Sequence, residues 1–184
     1  MKYDFVYLVT KNPGKLMAAQ SVFSKYKINL QPVEKDYPEI QAETSLEIAR
    51  FTALQAAKDL NHPAIREDHS LFLHALKIPG PYTNYFDKRI TPQQIIKLIE
   101  TFGDNTGHFE VVTVLAFPDE KTFENAFQVP MTFGNRAKGN DPNWNGLIRL
   151  LDEQRAITEY PESERLHIWN QGYEKVARYL QKQK

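Results

Sequence analysis

The sequence predicts an α/β fold on a mixed sheet, and three observations carry that reading. The chain opens on a strand-loop-helix unit from Tyr3 to Lys25, strand-like and helix-like runs alternate after it, and two long strand-like runs, 109–117 and 122–133, flank the turn Pro118-Asp119-Glu120-Lys121. Alternation implies parallel neighbours and the turn implies an antiparallel hairpin, so one sheet contains both.

Residues 3–10 form an apolar, aromatic and β-branched run suited to a strand buried on both faces. Asn12-Pro13-Gly14 ends it, and Leu16, Met17, Val22 and Phe23 then recur near helical spacing. Ile28 to Glu34 reads as a second strand. Thr44 to Leu60 reads as a helix with Thr44 or Ser45 as N-cap, Glu47 close behind, and a stripe of Leu46, Ile48, Ala49, Ala53, Leu54 and Ala57. Ala64 to Asp68 is a short strand, with Leu71 to Leu76 either its continuation or a turn of helix. Pro79-Gly80-Pro81 reads as a rigid loop, and Thr91-Pro92 starts a helix that runs to Phe102. After the hairpin, residues 133–145 read as loop, Leu147 to Gln154 as a short helix and Glu162 to Lys182 as one long final helix. There is no repeat, low-complexity stretch or linker, so residues 1–184 read as a single domain.

Composition excludes several classes. Lys plus Arg and Asp plus Glu are both 23, so net charge gives no reason to expect nucleic acid or a membrane surface as partner. Hydrophobic residues at 41% and aromatics at 12% indicate a folded globule, and the absence of cysteine removes disulfide and thiolate chemistry. No apolar stretch approaches the roughly 20 residues of a membrane span, and the chain starts on a strand rather than a signal peptide. A cytoplasmic protein is expected.

A strand turning sharply into a helix leaves unpaired N–H groups at the helix start, where an anion can bind. Thr10, Asn12 and Lys15 put a hydroxyl, an amide and an ammonium at that point, which suits a polyphosphate, although an ordinary polar turn has the same composition. Glu39 precedes the second helix, and Glu67-Asp68 sits at a predicted strand end. Adjacent acids there also describe a solvated turn. In the functional reading Glu39 and Asp68 converge on the first loop and bind Mg²⁺ through oxygen, and one carboxylate takes a proton from water.

Taken together, these residues resemble the inosine triphosphate pyrophosphatase family. Thr10-Lys11-Asn12-Pro13-Gly14-Lys15 is similar to its T-x-N-x-x-K signature, and Pro38-Glu39-Ile40-Gln41 to its P-E-I-Q turn. Glu67-Asp68, Leu71, Ala75-Leu76, Pro79-Gly80-Pro81-Tyr82 and Phe86 resemble the central segment, and Gly139, Asp141 and Pro142 the G-Y/W-D-P loop. The resemblance implies an elongated two-lobed α/β fold with a central mixed sheet and a cleft, assembled as a homodimer. It implies hydrolysis of a nucleoside triphosphate, a small-molecule substrate, to monophosphate and pyrophosphate. Thr10, Asn12, Lys15 and Arg165 would hold phosphates, Glu39, Glu67 and Asp68 would serve Mg²⁺, and Asp68 would activate water with Lys15 stabilising charge.

The base end departs from that pattern. The family's Ser-His-Arg falls on Trp169-Asn170-Gln171, its stacking aromatic on Lys138, its Tyr or Trp on Asn140 and its helix Lys near Thr52. Asp141, Trp169, Asn170 and Gln171 are therefore the base-contact candidates, with Trp169 or Trp144 available for the lost stack and Trp169 equally placed to be core. His62, His74, His108 and His167 show no ligand spacing. Two functions remain: a pyrophosphatase with a rewritten base pocket, or a nucleotide-binding protein of this fold that has lost turnover.

Overall fold

A computed structural model describes residues 4–139, 144–151 and 153–183. Its strands are β1 (Phe5–Val9), β2 (Asn29–Val33), β3 (Ala64–Leu73), β4 (Ile78–Gly80), β5 (Thr106–Ala116), β6 (Thr122–Phe133) and β7 (Ile148–Leu150). Its helices are α1 (Pro13–Phe23), α2 (Ser45–Leu60), α3 (Thr83–Asp87), α4 (Pro92–Phe102), α5 (Glu162–Trp169) and α6 (Gln171–Lys182). The strands form one sheet in the order β2-β1-β3-β5-β6-β7, with β4 paired to β3. β1 is parallel to β2 and β3, whereas β3–β4 and β6–β7 are antiparallel, so the sheet is mixed as expected. None of the described helices is long and apolar enough to cross a membrane.

The chain divides into two compact units. The first comprises Met1–Asp68, Val111–Phe127 and Arg165–Lys184. Strand alternation sends its side chains to two different layers. On one face Val6, Leu8, Ile65 and Leu115 pack with α1 and α6 through Val22, Phe23, Tyr173 and Val176. On the other, Ala64, Val112, Val114 and Ala116 meet Ala49, Ala53, Ala56 and Ala57, whose short side chains let α2 approach the strands closely. Arg50 of α2 holds Glu124 of β6 bidentately at 2.6 and 2.8 Å, and this hydrogen bonding depresses the Glu124 pKa.

The second unit comprises His69–Glu110 and Gln128–Glu164. Ile95, Met131, Phe133, Leu147, Ile148 and Leu150 are buried there. Trp144 is 2% exposed, with ring centroids 6.1 Å from Phe86 and 6.2 Å from Phe133, so this indole is core and not a surface for stacking a base. His74 and His108, unremarkable in their spacing, hydrogen-bond each other at 2.9 Å.

Local signals placed most boundaries. Thr44 and Thr91 make capping boxes with Glu47 and Gln94, and left-handed Asn61 and Gly103 close the two helices. Four expectations need correction. The helix expected over 147–154 is a 3-10 turn, Trp144–Leu147, followed by β7, because Ile148–Leu150 is buried and pairs with Met131–Phe133. The single final helix is two helices meeting at Asn170, where Asn170 and Gly172 are weak helix formers. Pro79-Gly80 belongs to β4 rather than a loop. β3 continues to Leu73, so Glu67 and Asp68 lie in mid-strand instead of at its end.

Candidate active site

The groups described here belong to the first unit. At the β1–α1 turn, the Thr10 hydroxyl accepts the Asn12 N–H at 3.0 Å. Asn12 Oδ1 accepts the N–H groups of Gly14 and Lys15 at 2.8 and 3.3 Å. Asn12 is thus the N-cap of α1, and two of the donors expected to be free for an anion are already satisfied. What the turn still presents is the Asn12 amide NH₂, the Thr10 hydroxyl proton and the Lys15 ammonium.

Three consecutive residues of β3 each hold a different element. Arg66 Nη2 donates to Glu39 Oε1 at 2.5 Å, and Nη1 donates to the Val9 carbonyl at 3.3 Å. Lys15 Nζ donates to the Glu67 carbonyl at 2.9 Å and lies 4.0 Å from Glu67 Oε1. Ser45, the first residue of α2, donates its hydroxyl to Asp68 Oδ2 at 2.7 Å.

Because strand neighbours point to opposite faces, Arg66 and Asp68 share the α2 face while Glu67 points toward α1 and α6. Glu67 is buried there beside Lys15 and Tyr173. Tyr173 is fully buried, and burial first, then the Glu67 charge, pushes its phenol pKa well above the usual value. Glu39 and Asp68, in contrast, are held by Arg66 and Ser45, and Arg66 and Asp68 lie two positions apart on one face of β3.

Arg165 is half-buried at the start of α5. Trp169 is half-buried against the α1–α6 core. Gln171 Nε2 donates to the Ile168 carbonyl at 3.0 Å, leaving its oxygen as acceptor, and the Asn170 side chain makes no capping bond. Asn140, Asp141 and Pro142 lie outside the described residues. Lys138, in the second unit, sits 3.9 Å from Glu159 Oε2.

Sequence reasoning missed Arg66 as the partner of Glu39, Ser45 as the partner of Asp68, and Tyr173. Alternation along 64–68 was a usable signal for the first, since it puts a cation on the same face as Asp68. Nothing local marks Ser45 or Tyr173, whose partners come from other elements.

Fold and clustered groups together define an α/β protein with a capped strand-loop-helix turn beside a strand carrying fixed carboxylates. Residues 6–170 match the Ham1 family, and the chain belongs to it. It is 30% identical to a dITP/XTP pyrophosphatase of Ignicoccus hospitalis, over 95% of this chain and 96% of that protein. It is 38% identical to Inosine triphosphate pyrophosphatase 2 of Trypanosoma cruzi over 62% of this chain and 59% of that protein. A solved HAM1 protein from Coxiella burnetii shares the fold with a TM-score of 0.82 at 21% identity, covering 98% of this chain and all of that one.

Proposed function

We infer that this protein is a nucleoside triphosphate pyrophosphatase, a hydrolase releasing the monophosphate and pyrophosphate. The observation that carries the reading is the convergence on β3: a positioned carboxylate at Asp68, an ammonium at Lys15 and a guanidinium at Arg66 are gathered by three neighbouring residues. The pyrophosphatase names of its relatives support it.

Asp68, aimed by the Ser45 hydroxyl, takes the proton of the water that attacks the α-phosphorus. Lys15 neutralises charge on the non-bridging oxygens, with Thr10, Asn12 and Arg165 holding the phosphates. We assign Glu67 to fixing Lys15, since its carboxylate is buried on the other face of β3 from Asp68. Base contact goes to Asn170 and Gln171, with Trp169 packed on the core beside them, and the resemblance adds Asp141 to the candidates.

Mg²⁺ fits this site in one mode. Among the described residues no group of three or more acidic or histidine ligands is assembled, but Mg²⁺ characteristically uses one or two carboxylates plus substrate phosphates. Glu39 and Asp68 would hold it, and when bound it would offset phosphate charge and lower the pKa of water. By resemblance the protein works as a single-domain homodimer in the cytoplasm.

One observation favours the second reading, a nucleotide binder without turnover: Glu39 is already engaged by Arg66. Phosphorus NMR of inosine, xanthosine and the common ribo- and deoxyribonucleoside triphosphates, each incubated with the protein and Mg²⁺, separates the two. We expect monophosphate and pyrophosphate in equal amounts, and no release without the metal. Unchanged triphosphate with saturable nucleotide binding would establish the binder, and release of orthophosphate would overturn the assigned bond cleavage.

A further inference from the structure

The Arg66 side chain is anchored within the sheet, and its partner is not. The guanidinium is 18% exposed and bonded to the Val9 carbonyl at the end of β1, whereas the Glu39 side chain is 60% exposed, on a stretch outside any strand or helix. Arg66 Nε is buried without a hydrogen-bond partner, and Val9 offers only a neutral oxygen. Among the described hydrogen bonds and ion pairs of Arg66, Glu39 is therefore the one that brings negative charge. A divalent cation on Glu39 would share the carboxylate with a charge-assisted hydrogen bond and sit beside a fixed positive charge.

We propose that Arg66 is a positioning residue that withholds Glu39 from a divalent cation in the free protein. The proposal rests on the reading of Glu39 as a metal ligand. The guanidinium fixed beside Glu39 repels a metal ion held on the same carboxylate. With Glu39 largely exposed, solvent screening reduces this to about tenfold in cation affinity.

The test is direct binding of Mn²⁺ to the nucleotide-free protein, followed by electron paramagnetic resonance of the unbound ion. Arg66→Met is expected to bind Mn²⁺ about tenfold more tightly than wild type. Arg66→Gln retains a donor for the Val9 carbonyl, and is expected to show the same gain should Met disturb the fold. Adding Glu39→Gln to either variant is expected to erase the gain. Unchanged or weaker binding in both Arg66 variants would overturn the proposal, while a loss of affinity in Glu39→Gln alone would leave Glu39 standing as a ligand. Tighter binding that survives Glu39→Gln would overturn both the proposal and the ligand assignment.

Discussion

Asp68 is held by the hydroxyl of Ser45, the first residue of α2, an arrangement that fixes the carboxylate in place. Asp68→Asn keeps the acceptor for Ser45 but can neither take a proton nor carry charge. We expect turnover to fall by ~10²–10⁴-fold with the thermal unfolding midpoint nearly unchanged. Steady-state rates beside a melting curve decide this, and wild-type turnover in the variant would remove Asp68 from the chemistry. At this scale the candidates Glu39, Asp68 and Lys15 could be named from the sequence only through the motifs they share with the resembling family, since an ordinary polar turn has the same composition. Their partners could not. Arg66, Ser45 and Tyr173 acquire meaning only once β3 lies beside β1 and between the layers of α1, α2 and α6, and no local pattern encodes that adjacency.

Elements with local punctuation were read from sequence nearly to the residue: α2 from Thr44 and Glu47 at its start, α4 from Thr91-Pro92, β6 and its turn from Pro118 to Lys121. β7 was missed because tertiary pairing sets it, with Met131–Phe133 recruiting Ile148–Leu150 as a strand. The start of α6 shows how tightly one element is fitted. A Cβ on Gly172 would lie 2.1 Å from Thr113 Oγ1 and 3.0 Å from Thr113 Cβ, so the bare backbone lets α6 seat against β5. Alanine is intrinsically better than glycine in a helix by roughly 1 kcal/mol. Overpacking a core costs about 1–3 kcal/mol, and here it outweighs that gain. Gly172→Ala is therefore expected to lower the urea midpoint, and Thr113→Ala, by deleting the hydroxyl, to restore most of the loss in the double variant. A Gly172→Ala protein more stable than wild type would show that α6 has room to shift.

For the molecule as a whole, equal numbers of acidic and basic residues mean that net charge does not draw in a polyanionic nucleotide. Attraction has to come from the local gathering of Lys15 and Arg66 at β3, which is the part of the site whose residues match the family pattern in Thr10, Asn12, Lys15, Glu39 and Asp68. Membership of the Ham1 family was legible because those pieces keep their order along the chain. Base preference was not, because Trp169, Asn170, Gln171 and Lys138 stand where the resembling family has other groups. The fold adds that Trp169 packs on the core and that the Gln171 NH₂ donates to the Ile168 carbonyl of α5. The base end then presents neutral amides, without the charge-assisted donors that a 6-keto oxygen rewards. Sites built on polar contacts reject ligands that leave their groups unpaired. We therefore expect inosine triphosphate not to be the best substrate, and Asn170→Ala or Gln171→Ala to change the ranking of bases more than the overall rate. Comparing kcat/KM for inosine, xanthosine and the common ribo- and deoxyribonucleoside triphosphates tests this in wild type and both variants. A strong preference for inosine or xanthosine that neither alanine substitution disturbs would place base recognition on other residues and return the protein to the specificity its relatives' names describe.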